Sequence, residues 1–202
     1  MAVVWLPVDE KLLDAARGFA AASWRREDLD ASWANAGWYV PRSGSVAAEV
    51  FDELEQRQWT GDRLVGIGLN ADCTSIVAVT IEFAYFVDPD EDDDEPMVTE
   101  ERLSAGWSGL PDGTRADFDE VWRTAVGTVA ESLGPPEVTG MHDPEWHHAI
   151  WRAGDTLIAL VQGENIDTYG FWDEAALWLV PHPAAKPVLT GRELYDVMWG
   201  RP

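Results

Sequence analysis

The stretch Thr114–Val161, TRADFDEVWRTAVGTVAESLGPPEVTGMHDPEWHHAIWRAGDTLIALV, decides how the rest of the chain is read. In its first half Phe118, Val121, Trp122, Ala125, Val126, Val129 and Leu133 recur at steps of three and four residues, which lines them along one side of a helix. Thr114 and Asp117 have the spacing of a capping pair, and Asp117, Asp119 and Glu120 suit the positive end of the helix macrodipole. Gly134 can close the helix, and Pro135 and Pro136 prevent its continuation. In the second half the period shortens. Glu145–Arg152 and Asp155–Gln162 read as two strands around a tight Ala153-Gly154 connection. A long amphipathic helix followed by a hairpin that can lie against it makes α+β the expected class.

Upstream, Leu12, Leu13, Ala16, Phe19 and Ala20 predict an amphipathic helix over Asp9–Ala22 with Asp9 as its N-cap. A shorter helix follows over Glu27–Asn35, with Leu29 and Trp33 on one side and Gly37 ending it. Trp24, Trp33 and Trp38 are spaced to meet where this helical pair packs. Ser45–Trp59 fits two templates: Val46, Ala47, Val50, Phe51 and Leu54 make a helical stripe, while Val46, Ala48 and Val50 alternate like a strand, and both readings stand. Arg63–Leu69 and Ser75–Val87, separated by Asn70-Ala71-Asp72, read as an antiparallel hairpin. In its second arm Val77, Val79, Ile81, Phe83, Tyr85 and Val87 should share the core face, leaving Thr80 and Glu82 at least partly wet. A further strand is expected at Ala175–Val180 and a last short helix at Arg192–Trp199. At 202 residues the whole fits one domain, 1–202. Its expected architecture is an antiparallel sheet built from hairpins, with the long helix and the N-terminal helical pair packed on it. An exposed acidic loop at 88–105 and a proline-rich tail from 181 complete the chain.

The chain carries 37 acidic against 14 basic side chains, a net charge of −23. So negative a field repels nucleic acid and anionic membranes before contact, and favours a basic protein or a cation. The same charge also serves simply to keep a tryptophan-rich surface soluble. The single cysteine, Cys73, excludes an intramolecular disulfide and any multi-cysteine zinc site, which fits a reducing compartment. Ala2–Val8 is too short for a signal core and Asp9 and Glu10 follow it. The apolar run Ile76–Val87 falls well short of the roughly 20 residues of a spanning helix. The expected location is the cytoplasm.

No catalytic signature emerges. Asp90, Asp92, Asp94 and Glu101 match an EF-hand register, but Glu95 stands where that loop requires glycine for its turn. His147 and His148 adjoin in a strand and point to opposite faces; with His142 and His182 they show no metal-ligand spacing. Ser108 lacks the Gly-x-Ser-x-Gly context, Gly66-Ile67-Gly68 lacks a third glycine and a following helix, and Cys73 has no histidine near it in sequence. The expectation is therefore no cofactor, no metal and no catalytic residue. A partner would meet the acid run Asp88, Asp90, Glu91, Asp92, Asp93, Asp94 and Glu95, flanked by the loop tryptophans Trp107 and Trp172. Those two tryptophans also read as partly buried loop anchors. Two competing classes remain: an enzyme whose site gathers distant residues such as Glu82, His147 and Asp155, and an oligomeric accessory protein.

The order of parts carries a resemblance as well. A helical pair ending in Ala36-Gly37-Trp38, a strand hairpin, a long helix closing on Leu133-Gly134-Pro135-Pro136, and then Trp151-Arg152-Ala153-Gly154-Asp155-Thr156 with alternating strands is similar to a group of small actinobacterial proteins. Some of that group look like immunity proteins of polymorphic toxin systems. The resemblance covers Val8 to Pro181, rests on structural motifs and supplies no catalytic residues, and the Asp88–Glu95 insertion departs from it. What it implies is a cytoplasmic, non-enzymatic inhibitor that presents an acidic surface to a basic toxin.

Overall fold

A computed structural model describes residues 1–87, 105–143, 146–164 and 172–198. The fold is α+β, with one large antiparallel sheet and, among the described residues, five helices. In chain order the elements are β1 (Ala2–Trp5), α1 (Glu10–Ala20), α2 (Arg26–Asn35), α3 (Val46–Phe51), β2 (Arg57–Trp59), β3 (Leu64–Leu69) and β4 (Ile76–Val87). They continue as β5 (Ser108–Leu110), α4 (Arg115–Leu133), β6 (Val138–Asp143), β7 (Trp146–Ala153), β8 (Thr156–Glu164), β9 (Asp173–Pro181) and α5 (Arg192–Met198).

The sheet runs β2-β3-β4-β9-β8-β7-β6, with β1 pairing both β4 and β5. Two local units, β2-β3-β4 and β6-β7-β8, become one sheet because β9 inserts between β4 and β8 and bonds to both. Helices cover one face. α1 begins where Asp9 accepts from the Leu12 amide at 2.9 Å, and it buries Leu12, Leu13, Ala16 and Phe19. α4 begins with the Thr114–Asp117 capping box and buries Phe118, Ala125 and Val129, with Phe118 stacked on Phe86. Its far end is tied to the sheet by Trp151, whose indole donates to the Gly134 carbonyl at 2.8 Å. Trp33 and Trp38 meet edge to face, and Trp38 stacks on Phe19, so the turn after α2 is sealed by aromatic rings. No described helix is long and apolar enough to cross a membrane.

Ser45–Trp59 turns out to hold both of its candidate structures in succession. The Ser45 hydroxyl caps α3 by accepting from the Ala48 amide, Val46, Ala47 and Val50 go into the core, and the chain then straightens into the edge strand β2.

Strand β4 departs from simple alternation. Val79, Ile81 and Phe83 face the helices, but the register against β9 shifts between Glu82 and Ala84. Beyond that bulge Ala84 and Phe86 face the helices, and Tyr85 and Val87 pass to the other side. The expected single face for Val77 to Val87 is therefore wrong past residue 83, because an inserted residue exchanges the two faces. Glu82 is not wet either: only 3% of it is exposed.

On this second face the buried residues form two smaller clusters. Ala2, Val4, Tyr85, Val87 and Trp107 make one. The other, around Trp146, Ile150, Leu157, Val161 and Trp178, is covered by Val188, Leu189, Leu194, Tyr195 and Val197 of the C-terminal segment.

Candidate functional site

The residues singled out in the sequence separate in space. Asp88, Asp90, Glu91, Asp92, Asp93, Asp94 and Glu95 lie outside the described residues. Trp107 is only 4% exposed: its ring stacks on Tyr85 and its indole N–H donates to the Asp62 carbonyl at 2.5 Å. Trp172 is half-buried and packs on the same cluster. Both therefore anchor loops to the sheet. Glu82, His147 and Asp155 do not converge. Glu82 lies on the second face beside Tyr85, His147 lies on the helical face against Trp122, and Asp155 sits in the β7–β8 turn, where it accepts from the Ala184 amide. Among the described residues no three His, Cys, Asp or Glu side chains gather as a metal site. A gap between α1, α2 and β4, lined by Phe19, Trp24, Leu29 and Val79, encloses about 10 Å³, too little for any small-molecule substrate.

A different place stands out, at the β2 edge of the sheet. Tyr39 is 59% exposed, Val40 46%, Leu54 56% and Trp59 36%. Local structure explains why these four flank one strand. Trp33 on α2 donates its indole N–H to the Tyr39 carbonyl at 2.8 Å, and the Tyr39 amide donates to the Thr60 carbonyl at 3.3 Å. The α2–α3 connection is thereby fastened to the end of β2. On the other side Glu55 donates its amide to the Glu49 carbonyl, and Gln58 reaches back to the Glu55 carbonyl at 2.9 Å. Leu54 sits within that doubled-back turn at φ 59°, a left-handed conformation that a leucine holds at a cost of about 1 kcal/mol or more. A strained, exposed leucine just ahead of an edge strand is the kind of outlier that marks function.

The strand bearing Trp59 is pinned from beneath. Arg57 bonds Glu82 at 2.5 Å, and the Tyr85 hydroxyl donates to the same carboxylate, so β2 is tied to β4 across β3. Gly66, directly between Arg57 and Thr80 in the register, leaves the arginine room to cross. At the strand's end Arg63, buried, donates to the carbonyls of Leu6 and Pro7 at 3.2 and 2.6 Å. Burial lowers its pKa from the ordinary arginine value. The edge is therefore rigid where its aromatic side chains emerge.

The rim is acidic. Between positions 39 and 62 stand Glu49, Asp52, Glu53, Glu55 and Asp62, against Arg42 and Arg57, and Arg57 is engaged by Glu82. Asp52 pairs with Arg26; that hydrogen bond holds the carboxyl below the usual carboxylate range and the guanidinium above its own. Glu53 and Glu55 are exposed on either side of Leu54. What the arrangement offers is exposed apolar and aromatic side chains before, after and on one edge strand, with carboxylates close to them in sequence.

Trp59 and Tyr39 carried no separate sequence signal. Trp59 closed the ambiguous stretch and Tyr39 followed the tryptophan cluster, so only the pairing of β2 with β3 and the Tyr39–Thr60 bond reveal that they flank an open edge. No protein-family model, no curated protein and no solved structure matches this chain.

Proposed function

We propose that the chain is a non-enzymatic binding protein, immunity-like in action, which docks a basic protein partner onto the β2 edge and occludes it. The carrying observation is the exposure of Tyr39, Val40, Leu54 and Trp59 around one strand, with carboxylates close to them in sequence. Large apolar side chains left at a sheet edge are a liability that soluble proteins ordinarily cover or replace with charge. Here the net charge of −23, to which Asp88–Glu95 contribute, keeps copies of the chain apart while drawing in a positively charged surface. Charge complementarity speeds encounter, and the desolvated aromatic centre then slows dissociation. The cytoplasm is the compartment this reading assumes.

The test is affinity capture from an extract of the native host, comparing the natural chain with a Tyr39→Ser/Trp59→Thr double variant. The expected result is a basic protein retained at about 0.1 M salt, released as salt rises through several Debye-length reductions, and absent from the variant. Equal capture by both chains sinks the β2 edge as the docking site. Self-association of the natural chain that the double variant abolishes would instead make the edge a homo-oligomer contact.

A further inference from the structure

His148 on β7 is 1% exposed, and the Cε1–Nε2 edge of its ring lies against Gly140 of the neighbouring edge strand β6. A Cβ added at Gly140 would come within 2.8 Å of the imidazole, so glycine is what lets the ring settle there. Its Nε2 faces the C-terminal segment, 3.1 Å from the Thr190 hydroxyl and 3.4 Å from the Gly191 amide. A backbone N–H can only donate. In the tautomer where Nε2 accepts from that amide, the neutral ring carries its proton on Nδ1, a buried atom with no hydrogen-bond partner among the described residues. A doubly protonated ring can still donate to the Thr190 hydroxyl, but it has no acceptor at Nδ1 among the described residues and opposes the Gly191 amide.

The other histidine beneath this segment is wired the opposite way. His182 Nε2 lies 2.7 Å from the Pro187 carbonyl, an acceptor, so it donates, and a protonated ring donates equally well. Residues 182–187 are further held by Arg152, which donates to the carbonyls of His182, Pro183 and Lys186, and by Asp155, which accepts from the Ala184 amide. None of these bonds requires a neutral imidazole. The acid-sensitive contact lies beyond Pro187 and the acid-tolerant ones before it.

We infer that Val188–Val197 is an acid-released strap: a proton from solvent taken up at His148 Nε2 removes the acceptor of the Gly191 amide and leaves a charged ring buried beneath the segment. The segment then lifts about Pro187 and uncovers the apolar face around Trp146, Ile150 and Trp178. Among the described side chains, the titratable and charged groups on the packing elements are His142 on β6, His147 on β7 but on the opposite face, and Arg192, Glu193, Tyr195 and Asp196 on α5. Arg192 is engaged by Asp196 and Glu193 is exposed, while β8 places only Val161 opposite His148. No carboxylate among them receives the new charge, and His142 opposes it. Burial first, then His142 and His147, hold His148 below the ordinary histidine value. With the strap open that burial is relieved and the ring returns towards the ordinary histidine value. The open form therefore gains on the closed one as pH falls below that value, by about tenfold per unit, until the closed form itself takes up the proton. This device is independent of the β2-edge reading.

Hydrogen exchange of the intact chain tests it, followed by mass spectrometry from about pH 7.5 to about pH 5 and corrected for intrinsic rates. Peptides covering 188–198 should lose protection about tenfold or more, while those of β8 and β9 keep theirs. His148→Gln, whose amide oxygen accepts from the same donors without titrating, should remove the pH dependence. Constant protection in the natural chain overturns the proposal, as does an equal loss in His148→Gln or simultaneous loss across the sheet. If that variant does not fold, nitrogen NMR of the natural chain decides. A ring protonated at Nδ1 at neutral pH and titrating together with the strap amides supports the strap; a ring protonated at Nε2 overturns it.

Discussion

The helical face of the sheet and the face under the C-terminal segment bury the same strands by different means. Under α1 to α4 the buried side chains form one continuous cluster, from Val3 and Leu13 through Trp33, Ile81 and Phe118 to Leu160 and Leu179. The opposite face has two separate clusters, and the buried polar groups Glu82, Glu174 and His148 also lie on that side. A continuous apolar layer is insensitive to pH and salt. A divided layer closed by polar contacts responds to both, so this side and the adjoining β2 edge are where the molecule can change or bind.

The contrast is tested most severely by deleting from the continuous side. Phe118→Ala, which empties a fully buried site stacked on Phe86, should cost about 4 kcal/mol in urea unfolding; a loss under about 1 kcal/mol would break the comparison. On the divided side Glu82→Gln weakens the bonds from Arg57 and Tyr85. Its expected cost is about 2 kcal/mol, together with faster exchange of the β2 amides, and an unaltered β2 would show that the buried carboxylate does not brace the edge. At the edge itself the sign should reverse. Leu54→Gly relieves the left-handed leucine and should raise stability by about 1 kcal/mol while weakening partner capture. Last, Tyr39→Ser should move stability by only about 0.5 kcal/mol although it weakens capture, since Tyr39 is already 59% exposed. A large destabilisation there would mean that the edge belongs to the core.

Features that depend on near neighbours were legible in advance. Asp9 as the cap of α1, the Thr114–Asp117 box and the stop at Gly134 need only a few adjacent residues, and each is present. The opposite orientation of His147 and His148 follows from strand alternation and is also seen. The bulge in β4 was not legible, because Phe83 to Val87 is apolar at every position and so does not mark a face, and the irregularity arises only in pairing with β9. The strand β6 was likewise passed over, its short run Val138–Asp143 being defined by the partner β7. For the site, the negative charge was plain and its focus was not: two loop tryptophans drew attention, while Tyr39 and Trp59 carried no signal of their own.

From its amino acids alone this protein is committed to helices with marked ends, to alternating strands and to a strongly negative field, since periodicity, capping and charge are properties of short segments or of simple sums. Tertiary structure decided which tryptophans are covered, where β4 exchanges its faces, that β9 fuses two local units into one sheet, and that the imidazole of His148 meets donors while that of His182 meets an acceptor. Those outcomes depend on partners far along the chain, and chain closure chooses such partners where local patterning is indifferent between them.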